Sequence, residues 1–257
     1  MPSPSVPTQS VPALLSTLLA ADASRPLVTF YDDASDERVE LSVKTFGNWV
    51  AKTAHLVQDG LCAEPGERVA VSLPTHWQGA VWLCAAWSCG LVVTFEQAEV
   101  ADADYVVVGP DAVAGDGPVA RTIGVSLRPM GGALAAPAEG VVDYATEVLG
   151  YPDEFAPAGV VTAGTPALQL PDGVRTHAQL LEHATAVATG LGLGAVPRLL
   201  TDANPCSVEG YASALLAPLV TGGSVVLVRN PDPERASARV AQERVSAVST
   251  GWAAPDG

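Results

Sequence analysis

Two kinds of hydrophobic spacing alternate along this 257-residue chain. Short valine-rich runs are apolar at nearly every position, the mark of strands buried on both faces of a parallel sheet. They fall at RVAVSL (68–73), LVVTF (91–95), DYVVVG (104–109), TIGVSL (122–127), VVTA (160–163), RLLT (198–201), SVVLVR (224–229) and VSAVSTG (245–251). Between them, apolar residues recur every three or four positions, which predicts amphipathic helices. These cover 11–22, 42–58, 75–90, 139–149, 176–189, 207–220 and 231–245. Ser42 caps the second helix, whose apolar side carries Phe46, Trp49, Val50 and Leu56. Thr75 with Gln78, and Thr176 with Gln179, match a capping box. Pro233 falls in the first turn of the last helix. One stretch, LVTFYDDASDERVELS (27–42), alternates with period two and reads as a hairpin around an acidic turn. The alternation of strand and helix predicts an α/β fold of two adjoining layered lobes, with largely parallel sheets and right-handed crossovers.

Composition narrows the function. Hydrophobic residues make up 48% of the chain and charged residues 16%, enough for a substantial core. A net charge of −15 disfavours nucleic acid and anionic membrane as partners. The start, MPSPSVPTQS, is Pro/Ser-rich, reads as disordered over 1–10, and lacks the pattern of a secretory signal. The apolar run at 11–21 is too short to span a bilayer. Cys62, Cys84, Cys89 and Cys206 show no paired spacing and read as buried, reduced thiols of a cytoplasmic protein. Richness in alanine, valine, glycine and arginine suggests a high-GC bacterial gene. The acidic cluster Asp32, Asp33, Asp36 and Glu37 lacks the spacing of a calcium loop and reads as a solvated turn. Trp77, Trp82 and Trp87 spread around their helix, as core or lobe-interface residues rather than a stacking platform for bases.

The densest information lies in AGVVTAGTPALQLPDGVRTHAQLLEH (158–183). An apolar run, a small-residue turn, a Gly-Val pair, Thr176-His177 and a helix follow in the order of a phosphate-binding loop. The chemistry such a loop needs is thin. Phosphate is cradled by successive backbone N–H groups, small residues and a cation. Pro166 and Pro171 each remove a donor, Leu168 and Leu170 add bulk, and Asp172 places negative charge nearby. The plain alternative is an ordinary strand–loop–helix connection.

The order of these parts resembles the core signature of the adenylate-forming superfamily, the acyl-CoA synthetases, peptide-synthetase adenylation domains and beetle luciferases. There the loop reads roughly S-S-G-T-T-G-x-P-K-G-V-x-x-T-H; here the glycine-rich centre is replaced by residues 165–171 and the lysine position is Asp172. PGERVAVSLPTHWQGAVWLCAAWSCGLVV (65–93) and ALLAPLVTGGSVVLVRNPDPERASARVAQERVSAVST (214–250) extend the resemblance to nearly the whole chain. It implies a truncated, degenerate member spanning 11–257, the N-terminal portion of the large domain. One lobe would cover about 63–190 and the other about 11–60 with 196–257.

By the same resemblance, Thr162, Gly164, Thr165, Thr176 and His177 fall on the phosphate-loop region. NPCSVEGYASALL (204–216) falls on the acyl-pocket segment, with Cys206, Val208 and Gly210 at its motif positions. The adenine, magnesium and ribose motifs and the mobile C-terminal domain have no counterpart in the sequence. No catalytic residue, metal ligand or cofactor is therefore expected; ATP, AMP or CoA enters only under the alternatives. The expected role is non-catalytic, an interaction or dimerising module whose partner, a second copy or another protein, covers the incomplete second lobe. The alternatives are a nucleotide or acyl small-molecule binder, and one half of a split ligase. His177 at a helix start reads as structural, and its six-residue separation from His183 argues against a shared metal.

Overall fold

The computed structural model describes residues 9–95, 102–110, 121–129 and 132–249. The expectation for 1–8 therefore lies outside the described residues. From the N-terminus the chain forms α1 (Val11–Ala21), the hairpin β1 (Pro26–Asp32) and β2 (Glu37–Ser42), and α2 (Val43–His55), which runs on into a π-helical turn, Leu56–Gly60. Then come β3 (Arg68–Ser72), α3 (Trp77–Ser88), β4 (Val92–Thr94), β5 (Tyr105–Val108), β6 (Arg121–Gly124), β7 (Val142–Asp143) and α4 (Tyr144–Val148). The hairpin β8 (Pro166–Leu170) and β9 (Gly173–Thr176) leads into α5 (His177–Gly190) and β10 (Arg198–Thr201). A π-helical stretch, Tyr211–Leu216, joins α6 (Ala217–Val220); β11 (Ser224–Arg229), α7 (Ala236–Gln242) and β12 (Ala247–Ser249) complete the described elements.

These strands form two sheets, one in the order β7-β6-β5-β3-β4-β8-β9 and the other β12-β10-β11-β1-β2. Pairing is parallel except within the two hairpins, β1–β2 and β8–β9. The α/β class and the largely parallel sheets are as the hydrophobic spacing predicts. Strand β11 is paired on both sides, by β1 and β10, and is buried along Ser224–Val228, which is why SVVLVR reads as a continuous apolar run.

Helix α3 explains the tryptophans. All twelve of its residues are buried, and it packs against β1 of one sheet and β3 and β4 of the other. A helix apolar on every side belongs inside a core. Trp77, Trp82 and Trp87 are core, as expected, and Trp87 Nε1 donates to the Ala167 carbonyl at 2.8 Å. The cap differs from expectation. His76, not Thr75, is the N-cap, its Nδ1 accepting from Gln78 N at 3.2 Å, and Thr75 instead donates to the Asp202 carbonyl at 3.4 Å. Gln78 is buried with both side-chain polar atoms unpartnered, so no capping box forms there.

Three further expectations need correction. Residues 160–163 form no strand; Val160 is 87% exposed, and an apolar pair without a neighbouring strand to bond has no ladder to join. Cys62 is exposed, while Cys84, Cys89 and Cys206 are buried; all four are free thiols. The acidic turn is not merely solvated: α7 docks on it. Arg239 forms a bidentate pair with Asp33, the two side chains 5% and 2% exposed, and Arg239 lies over the Tyr31 ring at 4.2 Å. Among the described residues no helix is long and apolar enough to cross a membrane, and no group of His, Cys, Asp and Glu is arranged to hold a metal.

Candidate functional site

The stretch matching the glycine-rich centre is a strand. β8 occupies Pro166–Leu170, pairs in parallel with β4 through Val93 and Leu168, and turns back into β9. Ala167 and Leu168 are fully buried. Pro166 is tolerated because it is the first residue of its strand. Leu170 pairs with Gly173, so the connection is two residues, Pro171 and Asp172. Gly173 has φ +127°, a conformation that side-chain-bearing residues rarely adopt, which accounts for the glycine. Asp172 forms an ion pair with Arg175 across this turn. A two-residue turn containing a proline cannot present the succession of N–H groups that wraps a phosphate.

The start of α5 is closed as well. A helix N-terminus binds anions through its free first-turn N–H groups. Here His177 N donates to the Thr165 carbonyl at 3.1 Å and Ala178 N to the Ala163 carbonyl at 2.8 Å. Gln179 N donates to Thr176 Oγ1 at 3.4 Å, while Thr176 N donates to Gln179 Oε1 at 2.8 Å, the capping box that the sequence predicts. Thr162 and Thr165 are occupied with each other, Thr162 N donating to Thr165 Oγ1 at 2.9 Å. Gly164 is exposed in the same bend. Of the five residues placed on the phosphate-loop region, Thr162, Gly164 and Thr165 lie before β8, while Thr176 ends β9 and His177 opens α5. The Thr165 and Ala163 carbonyls bring the two groups together.

His177 is fully buried, and its Nδ1 accepts from Val11 N at 3.3 Å, capping the first turn of α1. Its Nε2 is buried without a partner, and burial pulls its pKa down to about 4. The ring is a structural link between two helix starts.

The second segment stitches the two sheets together where β3 and β10 end. Asn204 Nδ2 donates to the Leu73 carbonyl at 2.8 Å, and Asn204 Oδ1 accepts from Cys206 N at 2.9 Å. Cys206 Sγ lies 2.6 Å from where a Cβ on Gly79 would stand, and burial pushes its thiol up, out of the reactive range. A Cβ on Gly210 would lie 1.9 Å from the Asn204 carbonyl oxygen, so this glycine is dictated by close backbone approach. Val208 is half-buried. In open α/β sheets ligands bind beyond the strand C-termini; here those ends hold each other. Asn204 and Gly79, which do most of this, were not singled out in the sequence. Asn204, two residues before the amide that it accepts from, carries a readable signal, the Asx turn.

An accessible groove lies elsewhere. It has a volume of ≈ 670 Å³ and runs between α1, α2 and the segment 153–161, lined by Leu15, Leu19, Phe46, Val50, Phe155 and Val161. Leu19 and Val160, also in its lining, are 44% and 87% exposed. Nothing in the hydrophobic spacing marks it, because its far wall has no regular structure.

No family model matches the chain. A protein of Mycobacterium tuberculosis (strain ATCC 25618 / H37Rv), described as a TIGR03089 family protein, is 39% identical over 250 residues, covering 94% of this chain and 98% of that one. The crystal structure of the Brucella canis acyl-CoA synthetase superposes on 97% of this chain with a TM-score of 0.76 at 15% identity. This chain spans about half, 48%, of that protein. The fold of the acyl-CoA synthetases is thereby established, as the resemblance to the adenylate-forming superfamily implies. With that fold and a relative matched along almost its full length, the chain belongs to the TIGR03089 family.

Proposed function

We propose that this protein is a non-catalytic, acyl-CoA-synthetase-like scaffold that acts by associating with a protein partner, a second copy of itself included. The observation that carries the loss of catalysis is the two-residue β8–β9 turn, together with an α5 start whose donors are all taken by the chain itself. Adenylation demands that a triphosphate be positioned and its developing charge met by preorganised donors, and this region offers neither. The burial of His177 and Cys206, with both groups engaged in holding elements together, supports the same reading. The association half of the proposal rests on β12, a three-residue strand at the rim of its sheet, bonded to β10 on one side, with Val248 45% exposed.

The test combines calorimetric titration with Mg-ATP and AMP, ATP–pyrophosphate exchange, and sedimentation equilibrium over a wide concentration range. The expected result is no nucleotide heat, background exchange, and a concentration-dependent mass. Micromolar nucleotide binding would overturn the non-catalytic reading. A monomer at every concentration, with no partner recovered by proximity cross-linking, would overturn the scaffold.

A second reading, an apolar small-molecule binder, is favoured by the groove of ≈ 670 Å³, which falls in the size range of ligand pockets. Thermal melting with fatty acids, acyl-CoAs and nucleotides separates the two, because a ligand that binds the folded state alone raises the melting temperature.

A further inference from the structure

The segment 151–158 lies along α2 as a strap and forms part of the groove's wall. Four side chains of α2 and its π-helical turn hold it. Lys52 Nζ donates to the Tyr151 carbonyl and pairs with Asp153 at 3.0 Å; Asn48 Nδ2 donates to Asp153 at 3.2 Å; Gln58 Oε1 accepts from Ala158 N at 2.7 Å. At the centre is His55. Its Nδ1 is 2.6 Å from Asp59 Oδ2, its Nε2 is 2.8 Å from the Glu154 carbonyl, and its ring stacks on Tyr151 and meets Phe155 edge-on at 5.0 Å. Asp59 lies below the strap, on the π-helical turn.

Both partners of this ring are acceptors. A carbonyl has no proton to give, and hydrogen bonds from His55 and Gln58 hold the Asp59 carboxyl below its usual range, so it stays ionised. A neutral imidazole has one N–H and one lone pair, so it satisfies one of these oxygens and points its lone pair at the other. Both bonds exist together when the ring is an imidazolium. We propose that His55 is a protonation-dependent latch: charged, it pins the strap to α2, and on losing its proton it releases the Glu154 carbonyl and opens the wall of the groove.

The other groups around the ring do not imitate this change. Asp59 is ionised throughout, and Tyr151 is pushed up by burial and by Glu147, Asp59 and Cys62, so it keeps its proton. Lys52, Asp153 and Glu154 complete the charged surroundings from α2 and the strap.

The reporter is the Ala158 amide, held by Gln58, with the Leu61 amide, bonded to the Leu56 carbonyl, as internal control. Hydrogen-exchange protection factors, corrected for intrinsic rates, are measured at about pH 5 and about pH 8, across which imidazoles change charge. Losing one charge-assisted hydrogen bond corresponds to a change on the order of tenfold. Protection at Ala158 is therefore expected to fall about tenfold with rising pH while Leu61 holds, and in His55→Gln the two pH values give equal protection. Equal protection of Ala158 at both pH values in the unaltered protein overturns the latch. So does a His55→Gln protein, folded by circular dichroism, that keeps the same fall.

Discussion

His76 and His177 occupy matching places at the starts of α3 and α5. Each is fully buried, each accepts a backbone N–H through Nδ1, and each leaves Nε2 unpartnered. Burial, with Arg229 adding to it, pulls His76 down to about 3; burial alone pulls His177 down to about 4. In the unfolded chain both take up a proton near pH 6.5. The unfolded state therefore binds more protons than the native one below that pH, and stability falls as pH falls from about 6.5 toward about 4 and then 3. Urea midpoints should drop between pH 7.5 and pH 5; a flat midpoint would contradict the prediction. Gly210 gives a second test at this scale. Gly210→Ala forces a Cβ against the Asn204 carbonyl, and overpacking of this kind costs about 1–3 kcal/mol. A midpoint equal to that of the unaltered protein would mean that the 204–210 turn relaxes freely. Gly210 could be named in the sequence, yet its reason lies in a backbone contact six residues away that spacing alone does not reveal.

Elements were legible where their signals are local. The Thr176–Gln179 box, the Ser42 cap and Pro233 in the first turn before α7 all stand in the fold, because a cap and its acceptor lie within one turn. Thr176→Ala should destabilise the protein by about 1 kcal/mol, read from urea unfolding, since it frees the Gln179 N–H at the head of α5. The misreadings arose where a neighbour competed or a partner was remote. His76 lies one residue after Thr75 and takes the cap, while Thr75 is drawn to Asp202 across the sheets. Val160 and Val161 have the composition of a strand, but the strand that joins β4 is PALQL, which the sequence placed in the phosphate-loop frame rather than in a strand. Parallel pairing depends on residues far away in sequence, and here it overrode local propensity.

For the whole molecule, the alternation of strands and helices was enough to give the α/β class, but not the way the last described elements are fastened. Tyr31, Arg38 and Arg198 converge on Glu243, and Arg239 grips Asp33, so α7 is tied to β1, β2 and β10 by charge. Removing one member of a buried pair leaves the other charge uncompensated, at about 3–5 kcal/mol. Asp33→Asn should lower stability by an amount in that range, and a loss under about 1 kcal/mol would show the pair to be solvated. The turn between β8 and β9 bears on the proposed function. Residues 166–170 are a strand whose ends are fixed by pairing to β4 and β9, and the connection that follows is two residues long. Restoring the cation alone, as in Asp172→Lys, should leave Mg-ATP binding undetectable by calorimetry. On the proposed reading, point substitution cannot open this region to a nucleotide; a longer connection would have to be inserted into a hairpin that the sheet already depends on.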